Sequence, residues 1–356
     1  MTVRRVLSPI GGLVLAGALA ALVSALVLIV TGQSPVDAAR GLWDGAFGAR
    51  QETLATLAQT TPLVFAALSF MFAFRAGIFN AGGQGQFIMG AFAAAWVGAA
   101  GPFRGLPAAI HIPLVVLAGA AGGAAWSLPP ILLRIFGGTN EILTTLMMSY
   151  IAALLNDYLV QSVFRAPNIQ PGTNAQTPLI SHAAKFPTLF SGSQVTFLLP
   201  VGVGAAVLIW AFYRGTVGGY ELDMLGKGAA VARSGGIATR RSMLVAMLVS
   251  GALAGIAGAE IVGGVFYADI TPFTSDVGFN GILAALLVGN QALLIPLSAL
   301  FFGAVQQGGL GLQIFTPISQ YIAGILTATL IIFASARAFP FSVRLPRLRR
   351  GMREPA

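Results

Sequence analysis

The sequence predicts an all-α polytopic membrane protein of about ten transmembrane helices. Three observations carry that prediction. Charged residues make up 9% of the 356 residues and hydrophobic ones 56%, whereas soluble domains carry roughly 25% charge. That leaves too few charges to wet a soluble surface, while lipid accepts Leu, Val, Ala and Phe on the outside. Apolar runs recur along the chain at close to the roughly 20 residues a helix needs to cross the hydrocarbon core. Basic residues fall between and beyond these runs, as cytoplasmic topology signals do. The net charge of +9 is therefore not read as a nucleic-acid surface.

The first run, 9–31, follows Arg4 and Arg5. A cleaved leader has an apolar core of about 7–15 residues. This run is longer and continues into Thr31-Gly32-Gln33 without a small-x-small site. It reads as a retained helix behind a short cytoplasmic N-terminus, residues 1–8. Further spans are expected at 54–74, 79–100, 109–134, 141–160, 195–213, 242–266, 279–290, 292–310 and 317–336. The span at 279–290 is short enough to be a re-entrant piece. Charge decides the matter. The loop 214–241 carries Arg214, Lys227, Arg233, Arg240 and Arg241 against Glu221 and Asp223, and the tail 337–356 is rich in Arg. Both segments belong inside, so an even number of spans separates them and 279–290 has to cross. That places both termini in the cytoplasm and the segment 161–194 outside. Five plus five spans admit an inverted repeat. Phe79-Asn80 and Phe279-Asn280 open the third and eighth spans from opposite faces, as paired interrupted helices do.

Catalytic motifs are missing. Gly226-Lys227 is followed by Gly228, and position 221 is Glu, so there is no P-loop. No Gly-x-Ser-x-Gly elbow occurs. His111 and His182 stand in separate segments and there is no cysteine, so neither a metal site nor a cofactor is expected. The informative residues are polar ones inside apolar spans, which are costly in lipid unless they face protein or a watery path. They fall in three clusters: Asn80 to Gln86, with Gln84; Gly137 to Glu141, with Asn140; and Phe279-Asn280-Gly281, closed by Asn290-Gln291. For each residue alone, gluing helices together is the competing reading. Glu141 suits a proton carrier or a hydrated helix end, and Glu260 and Asp157 are isolated. Gly119-x-x-x-Gly123 and Gly251-x-x-x-Gly255 read as packing motifs. From Glu221 to Ile237 the loop suits a short helix lying on the cytoplasmic face and docking into another protein.

These residues carry a family resemblance. Phe79-Asn80-Ala81-Gly82-Gly83-Gln84-Gly85-Gln86, Gly138-Thr139-Asn140-Glu141-Ile142, and Gly278-Phe279-Asn280-Gly281-Ile282 with Val288-Gly289-Asn290 resemble the permease subunits of ABC importers. The group is the one that moves branched-chain amino acids, ribose-type sugars and nucleosides. The likeness covers about residues 10–336 and is nearest the nucleoside and simple-sugar permeases. It implies a transport subunit of the bacterial inner membrane, not an enzyme. It further implies a cytoplasmic ATPase, a second permease (identical or related) and an external substrate-binding lipoprotein. The translocation path implied would use Asn80, Gln84, Gln86, Asn140, Glu141, Phe279, Asn280 and Asn290. The ATPase would meet Ala229, Ala230, Arg233, Gly236 and Ile237. The family usually has a basic residue near Asp223, an asparagine near Gly228 and an aromatic near Ser234; this chain departs from all three. Two other readings stand beside it: an ion-coupled carrier with Glu141 as its essential carboxylate, and an assembly protein with no path.

Overall fold

A computed structural model describes residues 18–19, 21–167, 173–272, 275–315, 321–322, 324–325 and 328–329. The N-terminus 1–8, the tail 337–356 and most of the expected span 317–336 lie outside the described residues.

The described chain is helical. α1 is Ala21–Val30, α2 Pro35–Phe47, α3 Arg50–Arg75, α4 Gly83–Ala99, α5 Ala108–Gly137 and α6 Glu141–Tyr158. There follow α7 Leu198–Gly215, α8 Val217–Lys227, α9 Ala229–Ser234, α10 Thr239–Glu260, α11 Val277–Leu287 and α12 Ile295–Phe315. α6 and α10 run on into π-helical turns, Leu159–Val163 and Ile261–Phe266. Among the described residues, six helices are long and apolar enough to cross a membrane: Arg50–Arg75, Ala108–Gly137, Glu141–Val163, Leu198–Gly215, Thr239–Phe266 and Ala292–Ile314.

One expected span is shorter than anticipated, and another is as short as anticipated. α4 begins at Gly83, not 79, because residues 76–82 form a turn and a non-helical stretch. α11 has 11 residues, about 16 Å at 1.5 Å per residue, roughly half the hydrocarbon core. One helix was not anticipated. α2 has 13 residues and carries Asp37, Arg40 and Asp44, too short and too charged to register as a span. The Ser34 hydroxyl caps it by accepting from Asp37 N at 3.3 Å, and Pro35 sits where a missing N–H costs nothing. It packs on α12 and α3.

α3, α4 and α10 are the buried helices at the centre, while α5 and α6 are mostly exposed along their lengths. Leu117, Tyr150 and Leu154 stand outward, as expected of faces that meet lipid. α4, α5 and α10 pack on one another through glycine. A Cβ on Gly123 would stand 2.8 Å from Gly255 Cα, one on Gly119 2.8 Å from Gly255 O, and one on Gly90 2.9 Å from Gly119 O. The two small-residue motifs thus face each other and let the backbones touch, as such motifs do in lipid.

Contacts sort the helix ends into two sets. At one end Arg75 meets Asp223, Arg134 meets Glu141, and Arg240 lies 6.0 Å from the Phe136 ring. At the other, Ser181 N donates to Gly98 O, Ile180 N to Tyr267 O and Thr177 N to Asp269 O. The segment expected outside is therefore folded down onto the ends of α4 and α10. An isolated antiparallel bridge pairs Gln176 with Ile270.

Candidate functional site

The site begins where α3 stops. Gly77 has φ +76, Gly77 N donates to Phe74 O, and Ile78 N reaches back to Ala73 O. This is the left-handed helix closure that glycine favours. The chain then runs non-helically to Gly82 and turns into α4. A buried span of this kind leaves backbone polar groups that only neighbouring protein can satisfy.

Asn80 performs much of that task. It is 1% exposed. Its Nδ2 donates to Gln86 Oε1 at 2.8 Å and to Ser250 Oγ at 2.9 Å, while its Oδ1 accepts from Gly82 N at 3.0 Å and Gln86 Nε2 at 3.2 Å. Ser250 Oγ in turn donates to Ser69 O at 2.8 Å. On the other flank, Thr145 Oγ1 accepts from Ala81 N and Ser149 Oγ from Gly85 N, both at 3.2 Å. The break is thus held by α3, α6 and α10 together.

Gln84 joins this break to a second one. Its Oε1 accepts from Gly278 N at 2.8 Å and its Nε2 donates to Ser275 O at 2.6 Å. The first turn of α4 and the first turn of α11 therefore meet directly. A Cβ on Gly278 would collide with the Gln84 backbone. The N-terminus of α11, with its partial positive charge, thus meets a carboxamide oxygen carried by the first turn of α4. Phe279 and Asn280 follow immediately and are half-buried.

The remaining expected residues serve helix ends. Asn140 is exposed and caps α6, its Oδ1 accepting from Ile142 N at 2.9 Å. Glu141 pairs with Arg134 at 3.3 Å. Asn290, at φ +55, helps close α11 through its N–H to Ala285 O, and its Oδ1 is buried without a partner. In the loop 214–241, α8 and α9 replace the single short helix anticipated. Ala230, Arg233 and Gly236 are exposed, and Ala229 and Ile237 half-buried.

Sequence reasoning missed Ser69, Ser250, Thr145 and Ser149, single hydroxyls in apolar runs. It also set aside Glu260, whose carboxylate is wholly buried and accepts from Thr196 Oγ1 at 2.9 Å. It overlooked Asp269 and Asn156, both 0% exposed. Asn156 Nδ2 donates to Asp269 Oδ1 at 3.3 Å, yet Asn156 Oδ1 and Asp269 Oδ2 are buried without partners. A proton on Oδ2 supplies a donor that such a pair lacks. Burial pushes the Asp269 carboxyl up to about 7, opposed by the Asn156 hydrogen bond and aided by the charge of Asp157. A cavity of about 260 Å³ lies near this end, lined by Phe92, Trp96, Phe164 and Thr177 among others; no expected path residue lines it. Among the described residues no group of three acidic or histidine side chains is placed to hold a metal.

Residues 53–335 match the family described as branched-chain amino acid transport system / permease component. The chain is 34% identical over 324 residues to the guanosine ABC transporter permease protein NupP of Bacillus subtilis, covering 89% of this chain and 90% of that one. It is 31% identical over 332 residues to the nucleoside ABC transporter permease protein NupB of Lactococcus lactis, covering 92% and 90%. It is also 31% identical over 351 residues to the glucose ABC transporter permease protein TsgB13 of Haloferax volcanii, covering 94% and 90%.

Proposed function

The chain belongs to the branched-chain amino acid transport system / permease component family, and on that premise we propose that it forms the translocation path for a nucleoside in an ATP-driven importer of the inner membrane. The observation that carries the reading is the near full-length likeness to NupP and NupB, two permease proteins named for guanosine and nucleosides. The likeness to a glucose permease protein favours a simple sugar as the second reading.

The chemistry of import lies in a cytoplasmic ATPase. Its docking surface is the loop 214–241, with Ala229, Ala230, Arg233, Gly236 and Ile237 as the contact. An external binding lipoprotein delivers the substrate, and a second permease, identical or related, completes the pair. Both termini lie on the ATPase side, and the ends gathered around Asp269 face outward. The path runs past the meeting of α4 and α11. Phe279 and Asn280 face it, Gln84 closes it, and Asn80 and Gln86 brace the wall behind. Asn140, Glu141 and Asn290 frame its ends. Opening it breaks the Gln84 bonds to Ser275 and Gly278, a small barrier at about 1 kcal/mol net per hydrogen bond. A dense binding pocket is not required, because the lipoprotein supplies selectivity.

Reconstitution with the partner ATPase, the lipoprotein and radiolabelled guanosine tests the proposal. ATP-dependent accumulation is the expected result. Uptake that persists unchanged without ATP overturns it, and uptake of glucose in place of guanosine selects the second reading.

A further inference from the structure

α8 is fastened to the end of α3 more firmly than a connector needs to be. Arg75 Nη2 donates to Asp223 Oδ2 at 3.0 Å and lies equally close to Oδ1. The guanidinium carbon lies 4.2 Å from the centre of the Tyr213 ring. Tyr213 in turn donates its hydroxyl hydrogen to Phe72 O at 2.9 Å, one turn back on α3. A Cβ on Gly77 would stand 3.1 Å from Gly226 Cα, and one on Gly226 would strike the Arg75 carbonyl. The two backbones are in contact there, so α8 does not move without pushing on residues 75–77.

The distance from this joint to the site is short. Arg75 and Asn80 are five residues apart, and the tight closure at Gly77 and Ile78 leaves little slack between them. Asn80 holds α4 through Gln86 and α10 through Ser250. On the other side of the joint, α9 follows α8 after the single residue Gly228. The joint therefore lies between the exposed docking loop and the break in α4.

We propose that Arg75 and Asp223 are a positioning pair that relays movement of the loop 217–237 into the break at 76–82, and so couples ATP hydrolysis to opening of the path. The proposal rests on the ATP-driven reading above. The pair is one-third exposed on both sides, and ion pairs this accessible contribute little to stability. Its loss is therefore expected to show in coupling, not in folding.

The test uses the full complex in proteoliposomes, with guanosine as the probe and ATP hydrolysis measured in the same vesicles. Asp223→Asn keeps the side-chain shape and Arg75→Gln removes the guanidinium, and each abolishes the ion pair. Guanosine imported per ATP hydrolysed should fall by about tenfold, within the range of typical coupling energies. Arg75→Lys and Asp223→Glu should recover most of the ratio. Simple loss of folded complex lowers uptake and hydrolysis together and leaves the ratio alone. An unchanged ratio in Arg75→Gln and Asp223→Asn, at any yield, overturns the proposal. If the unmodified complex shows no ATP-driven uptake of guanosine or glucose, the failure belongs to the functional reading beneath it.

Discussion

Replacing Asp269 by Asn should make the protein less sensitive to alkaline pH. In the folded chain the Asp269 carboxyl is raised from 3.8 to about 7. The folded state thus binds a proton over a range in which the unfolded chain has released it. The corresponding stability is complete below pH 4, declines as pH rises toward 7, and levels off above it. At about 1.4 kcal/mol per unit, going from pH 5 to pH 8 removes about 3 kcal/mol. An asparagine amide at 269 reproduces the protonated acid. Its nitrogen donates to Asn156 Oδ1, and its oxygen accepts from Asn156 Nδ2. The assay is the thermal midpoint of purified wild type and variant in one detergent at pH 5, 6, 7 and 8. The difference between the two proteins is the readout, since His111 and His182 remain in both. The variant should already melt somewhat higher at pH 5, and the gap should widen as pH rises to 8. A variant that melts with or below the wild type at pH 8 refutes the reasoning.

Three other outcomes follow from the packing and the network. Asn80→Leu strips partners from Gly82 N, the Gln86 amide and Ser250, at about 1–3 kcal/mol per stranded buried group, so a lower thermal midpoint in detergent is expected; an unchanged one means the network does not hold the break. Gly255→Ala forces a Cβ into the α5 backbone and should destabilise by about 1–3 kcal/mol or more, whereas Gly204→Ala in α7, which meets open space, should melt at or above wild type. Glu141→Gln and Glu260→Gln should each retain ATP-driven uptake within a few-fold, because a carboxamide at position 260 still accepts from the Thr196 hydroxyl; complete loss of uptake in either variant with folding intact points to an ion-coupled carrier.

What the sequence made legible was the apolar length of each span and the interruptions within them. The long helices at 50–75, 108–137 and 239–260 follow from hydrophobic runs that polar loops could not replace. The two glycine motifs were readable because a four-residue spacing puts both glycines on one helix face. The partners of the amides were not readable. Ser250 lies 170 residues from Asn80 and Gly278 lies 194 from Gln84, and a lone serine in an apolar run more often bonds its own backbone. Asp269 escaped for the same reason: a single acid beside a loop signals nothing until Asn156 is brought against it. α11 has nearly the expected length but starts two residues earlier, at Val277, and ends at Leu287.

At the seam where Gly90, Gly119, Gly123 and Gly255 bring three backbones together, little more than the Ala259 methyl stands between the walls. Interdigitating side chains can slip by changing rotamers; bare peptide surfaces cannot. A slide along this seam would drive the Ala259 methyl, which rests against Gly119, into the flanking residues of α5. α4, α5 and α10 are thereby locked into one block with a single register. Any change of shape in the bundle then falls on the joints around that block, where the chain is not helical: residues 76–82 before it and residues 267–272 after it.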